Sequence, residues 1–157
     1  LLKKHFSVND LKHKVYEACI KELGDKVAAV QKVLADLHHS AANETKSTAG
    51  DKHETALAML QLEQENKRQQ LRVLQQQQAV LNRIELLIPP QQIGLGTLVK
   101  TNSAYFFIGV ALGKLMVDNQ MVYVISPESP LGKLLLGKLP GDAVSFLKTT
   151  YLVEGIV

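Results

Sequence analysis

Cysteine is nearly missing from this chain: Cys19 stands alone among 157 residues, so no internal disulfide can form. That usage fits a reducing, cytoplasmic compartment. Cys19 falls on an apolar helical face, which marks it as a buried thiol rather than a nucleophile. No apolar run reaches membrane-span length and no signal-peptide pattern opens the chain, so no membrane partner is expected. Charge of one sign is also scarce. Eighteen basic against fifteen acidic residues leave +3, too mild an excess to imply nucleic-acid binding, and recognition of a specific DNA sequence is not expected. Lys3, Lys4, Lys12, Lys14, Lys21, Lys26 and Lys32 make the first arm basic and read as a solvated face. The most telling absence is proline. None occurs in residues 1–88, and Gly24 and Gly50 are the only glycines there.

That uninterrupted stretch carries helical spacing. Leu23, Val27, Val30, Leu34, Leu37 and Ala41 alternate steps of four and three, a heptad seam. Upstream, Leu11, Tyr16, Cys19 and Ile20 keep the same face apolar. After a polar break at 43–54, the residues Ala56, Leu57, Met59, Leu60, Leu71, Leu74, Leu81, Ile84 and Ile88 resume a helical stripe. Gln64, Lys67 and Gln78 fall on or near that seam, so the middle of the second helix packs less well. Pro89-Pro90 ends the pattern, because neither can donate a helix hydrogen bond. Two arms of about 35 residues at 1.5 Å each give an antiparallel rod roughly 50 Å long. The plainer alternative is a dimerisation coiled coil; the turn chemistry of the break and the matched arms favour the hairpin.

Beyond the prolines the period switches. Thr97–Lys100, Tyr105–Val110, Leu115–Val117, Met121–Ile125, Ala143–Phe146 and Tyr151–Ile156 read as strands. Asp118-Asn119-Gln120 is a hairpin signal. Ser129-Pro130 reads as an N-cap followed by proline at the first helical position, opening a short helix that stops at Gly137. The expected fold is α+β: a helical hairpin over 1–88 with its tip near 43–54, then a small antiparallel sheet domain over 91–157 covered by one short helix.

The stretch Ile125-Ser126-Pro127-Glu128-Ser129-Pro130-Leu131-Gly132-Lys133-Leu134-Leu135-Leu136-Gly137-Lys138-Leu139-Pro140-Gly141-Asp142 resembles the C-terminal signature of the bacterial Gre transcript-cleavage factors. The order of parts, a helical hairpin and then an FKBP-like sheet domain, is similar too. At the tip, Gly50-Asp51-Lys52-His53-Glu54 is similar to the family's Gly-Asp-x-x-Glu. The resemblance implies a transcription elongation factor that enters the secondary channel of RNA polymerase and meets the RNA 3′ end. Asp51 and Glu54 would steady Mg²⁺ and a water at the polymerase's own active site, so that backtracked RNA is cleaved. By that implication the chain stimulates the polymerase and is not an enzyme by itself. Where the family commonly places another acid and an aromatic, this chain has Thr55-Ala56-Leu57-Ala58, a departure that weighs toward a channel-binding regulator or inhibitor without cleavage.

The residues themselves allow this chemistry and a blander one. Carboxylates three apart in a first helical turn share a face. Mg²⁺ takes hard oxygen ligands and needs only one or two from a protein, so two exposed acids bind it weakly until a partner completes the shell. Asp51 as N-cap with Glu54 three residues on is equally a capping-box variant. Glu44 is a possible third acid. His38, His39 and His53 gather nearby, but adjacent helical histidines point about 100° apart and chelate poorly. Because the sheet domain resembles a prolyl-isomerase fold, isomerase activity is a further alternative, but the chain has no Trp, and Tyr105, Phe106, Phe107, Tyr123, Phe146 and Tyr151 alternate as core residues do.

Overall fold

The computed structural model describes residues 7–45 and 50–157, and their side chains except at Glu44, Thr45 and Asp51. Two long helices come first, α1 over Val8–Thr45 and α2 over Gly50–Asn82. Strands β1 (Leu98–Thr101), β2 (Tyr105–Ile108), β3 (Gly113–Val117) and β4 (Gln120–Ile125) follow, then helix α3 (Pro130–Leu135) and strands β5 (Ala143–Phe146) and β6 (Thr149–Ile156). The fold is α+β. The chain divides into two compact units, one of Lys21–Gln78 and one combining Leu1–Ile20 with Ala79–Val157.

In the helical unit the heptad spacing is visible in burial. Leu23 and Val30 are buried, and Val27, Leu34, Leu37 and Ala41 are half-buried between and beyond them. On α2 the matching seam runs through Leu57, Leu60, Gln64, Lys67, Leu71, Leu74 and Gln78, again in steps of three and four, with Gln64 and Leu74 buried. Each helix thus turns one stripe inward and leaves the other faces wet. Exposed pairs, Lys21 with Asp25 one turn away and Arg72 with Glu65 two turns away, line the outer faces and contribute little each. Met59, expected on the inner stripe, is exposed because it lies one step off the heptad.

The second unit begins with the start of α1. There Leu11, Val15 and Cys19 are fully buried at steps of four, whereas Ile20 is exposed. Tyr16 is half-buried and its Oη donates to Leu81 O at 3.1 Å, so the start of α1 lies beside the end of α2 and the helices run antiparallel. α2 stops at Asn82, short of the proline pair that the sequence marks as its end. Arg83 N and Ile84 N bond the carbonyls of Val80 and Leu81, three residues back, which tightens the last turn. Ile84 then sits against Gly96, where a Cβ would come within 2.5 Å of its Cγ2. That tertiary seat pulls the chain off the helical path before Pro89 is reached.

The six strands form one sheet in the order β3-β4-β2-β1-β6-β5. It is mixed rather than wholly antiparallel: β2 and β4 run parallel, with Phe106 opposite Tyr123 and Phe107 opposite Val124. The expectation of a purely antiparallel sheet is corrected here. The chain leaves β2, passes to the sheet edge to make β3, and returns by the β3–β4 hairpin into the place beside β2. Strand alternation gives each face its own core. One face carries Val99, Phe106, Ile108, Val144 and Val153 against Leu131 and Leu135 of α3. Phe106 stacks there on Tyr123 and meets Tyr151 edge-on, with ring centroids 5.6 and 5.3 Å apart. On the other face Leu98, Phe107, Val122 and Val124 are buried, and Leu81 Cδ2 lies beside Gly109 and Phe107.

Candidate functional site

The sequence points to two places, the start of α2 and the serine-proline stretch before α3. α2 opens at Gly50, whose φ of +55° is left-handed and easily held only by glycine. Asp51 is therefore inside the first turn, one turn before Glu54 on the same helix. A capping box needs Asp51 outside the helix, in extended backbone, and the observed start does not match that alternative. Asp51's side chain and Glu44's lie outside the described residues, as does the polar turn over 46–49.

Glu54 is exposed, and no side-chain hydrogen bond or ion pair holds it among the described residues. A solvated, unpaired carboxylate in a first helical turn is available to an incoming cation and gains from the helix dipole until one arrives. His53 is half-buried and has an interaction of its own. His38 and His39 are both exposed on the last turns of α1. Among the described residues, no group of three or more His, Cys, Asp or Glu side chains could hold a metal ion. After Glu54 the chain turns inward, with Ala56 and Leu57 half-buried on the seam. These are positions that packing, not chemistry, decides.

The serine-proline stretch has a structural meaning. Ser129 Oγ accepts from Gly132 N at 3.0 Å and donates to Ser126 O at 2.7 Å, while Pro130 occupies the first turn of α3. Ser126 Oγ accepts from Glu128 N. A Cβ on Gly132 would lie 2.1 Å from Ser126 O, so only glycine fits. Asp142 Oδ2 accepts from Leu139 N at 2.8 Å and closes the turn into β5. Leu131 and Leu135 pack into the core, whereas Leu134, which helical spacing also allows to face the sheet, is exposed. The residues that make this stretch recognisable are thus caps and turn closers that dock α3 on the sheet.

Sequence reasoning missed Lys12. It counts as one of several basic residues on the first arm, yet it is only 4% exposed. Burial holds its ammonium below the usual lysine range. Its place four residues before Tyr16 and seven before Cys19, on the apolar face of the helix, is the signal for its burial. Lys14, by contrast, is exposed, and its hydrogen bond and charge contact with Asp118 of the β3–β4 turn raise its pKa.

No protein-family model matches the chain, and no curated protein does. A solved structure described as that of the transcription factor Gfh1 is similar over 88% of this chain and 93% of its own, at 20% identity and a TM-score of 0.35. No helix among the described residues is long and apolar enough to cross a membrane.

Proposed function

We propose that this chain is a transcription elongation factor that binds RNA polymerase through the secondary channel and promotes cleavage of backtracked RNA. Asp51 and Glu54 would help hold a Mg²⁺ ion that the polymerase largely ligates. The observation that carries this reading is the placement of the acids: both lie in the first turn of α2, at the break between two long helices that each bury one stripe. α1 alone, at 38 residues, spans about 57 Å. The Gre-like signature over 125–142 supports the same reading from the other end of the chain.

When bound, Mg²⁺ supplies a Lewis acid that activates water and offsets charge on the attacked phosphate. This chain's part is narrower. It presents carboxylate oxygens on a helical turn, which limits the freedom lost when they meet the ion. In this reading the polymerase supplies the catalytic centre, and the chain completes the ligands of its metal.

A second reading is a channel-binding regulator that blocks nucleotide addition without stimulating cleavage. The half-buried Ala56 and Leu57, standing where the family commonly has another acid and an aromatic, favour it. Both readings need the polymerase. Direct binding to core RNA polymerase, competed by a known secondary-channel ligand, is the expected result; binding that such a ligand leaves unchanged rules out both. Nucleotide addition in an unbacktracked complex then separates them, since only the regulator slows it.

A further inference from the structure

Lys12 lies where two clefts of the sheet-containing unit meet. One cleft, of about 310 Å³, is lined by Lys12, His13, Leu86, Leu87, Pro89 and Ile156 among others. The other, of about 400 Å³, shares Lys12 and the proline pair and adds Arg83 and Glu85. Both volumes lie near the lower end of the ligand-pocket range. Three observations meet here. Lys12 is 96% removed from solvent, yet no hydrogen bond or ion pair reaches its Nζ among the described residues. No side-chain nitrogen or oxygen among them is both sealed and unpartnered, so Nζ opens onto cleft space. Glu85 lines the second cleft without pairing with it, and burial is the sole cause of the lowered pKa, with no carboxylate offsetting it.

The second feature is the wall. Leu87 is 87% exposed and Ile88 60%, beside the proline pair. Large apolar side chains held out in water next to a concave, basic spot mark a place where something apolar is covered on binding. A lone ammonium is a point charge that suits one compact anionic head, and the leucines and proline suit a short hydrocarbon body. Inorganic phosphate would satisfy the charge and leave the wall wet.

We propose that the cleft between the start of α1 and the 86–90 segment binds a small organic carboxylate, with the head on Lys12 Nζ and a short apolar body against Leu87 and Pro89. This is independent of any role in transcription. Bound carboxylate supplies the counter-charge that the fold omits, and the stem of Lys12 stays packed as it is.

The test is titration of the full chain with hexanoate, followed by NMR with ¹³C-labelled lysine and by calorimetry. Saturable binding at one site with Kd of about 1 mM or tighter is expected, with the Lys12 ε-carbon signal moving along the isotherm. Lys12→Met should weaken it about tenfold or more, and Leu87→Ser, which alters an exposed side chain and leaves the fold alone, about fivefold. A linear response with no saturation overturns the proposal. So does unchanged affinity in Leu87→Ser, or phosphate binding as tightly as hexanoate, since either result removes the apolar half of the site.

Discussion

At the scale of single residues, the account rests on a few positions where neighbours leave no choice. Gly132 is the sharpest. A methyl there meets Ser126 O and Ser129 Oγ at once, so Gly132→Ala either unseats the cap of α3 or moves the 126–129 turn. A loss of about 3 kcal/mol, the upper end for overpacking, is expected in urea unfolding. Lys12 gives a prediction with a sign. Its folded pKa lies below the ordinary 10.5, so the unfolded chain binds the proton more tightly in the window between the two values. Stability therefore rises with pH across that window, and the penalty is gone above 10.5. Lys12→Met should be more stable than the parent at neutral pH, with the gap closing as pH climbs toward 10.5; a constant gap would contradict it. The sequence made Gly132 legible as part of a motif and made Lys12 look like any surface lysine. A heptad reading sorts residues by type before position, and a long amphipathic stem can pack where its charge should not go.

At the scale of elements, most of the architecture was open to reading because each piece has its own local cause. The α1 seam, the Ser129 cap and the Asp118-Asn119 turn each follow from spacing or from residues that tolerate positive φ. The second hairpin turn was not. Leu147 and Lys148 both hold positive φ, at 45° and 64°, without the Asn-Gly chemistry that announces such a turn. The strand pairing across it, Phe146 with Thr149, overrides the local preference. The end of α2 at Asn82 and the parallel β2–β4 pair were hidden for the same kind of reason. Each is fixed by a contact far away in sequence, Ile84 on Gly96 in one case and sheet order in the other. Gly24 tests the helical account. It sits inside α1 with open space where a Cβ would go, so Gly24→Ala should add about 1 kcal/mol. Helix melting by circular dichroism should shift upward; a downward shift would mean that Gly24 serves a bend or a contact that the helical unit needs.

At the scale of the whole molecule, two long helices put a pair of acids at a helix start, and a separately packed sheet unit carries the Gre-like stretch. Composition alone could not have told this from a dimerising coiled coil. The turn signals at 43–54 and the matched lengths of the arms made the difference, and the Tyr16–Leu81 bond now shows the return of α2 within one chain. The candidate site was legible as residues but not as chemistry, because two carboxylates mean little until another protein supplies the rest of the metal shell. The most direct test is single-turnover RNA cleavage in stalled, backtracked polymerase complexes, comparing the parent chain with Asp51→Asn and Glu54→Gln at saturating factor. The account predicts cleavage accelerated by the parent and reduced about a hundredfold or more by either substitution, with polymerase binding unchanged. Cleavage that neither substitution slows, or no acceleration by the parent at all, would contradict it.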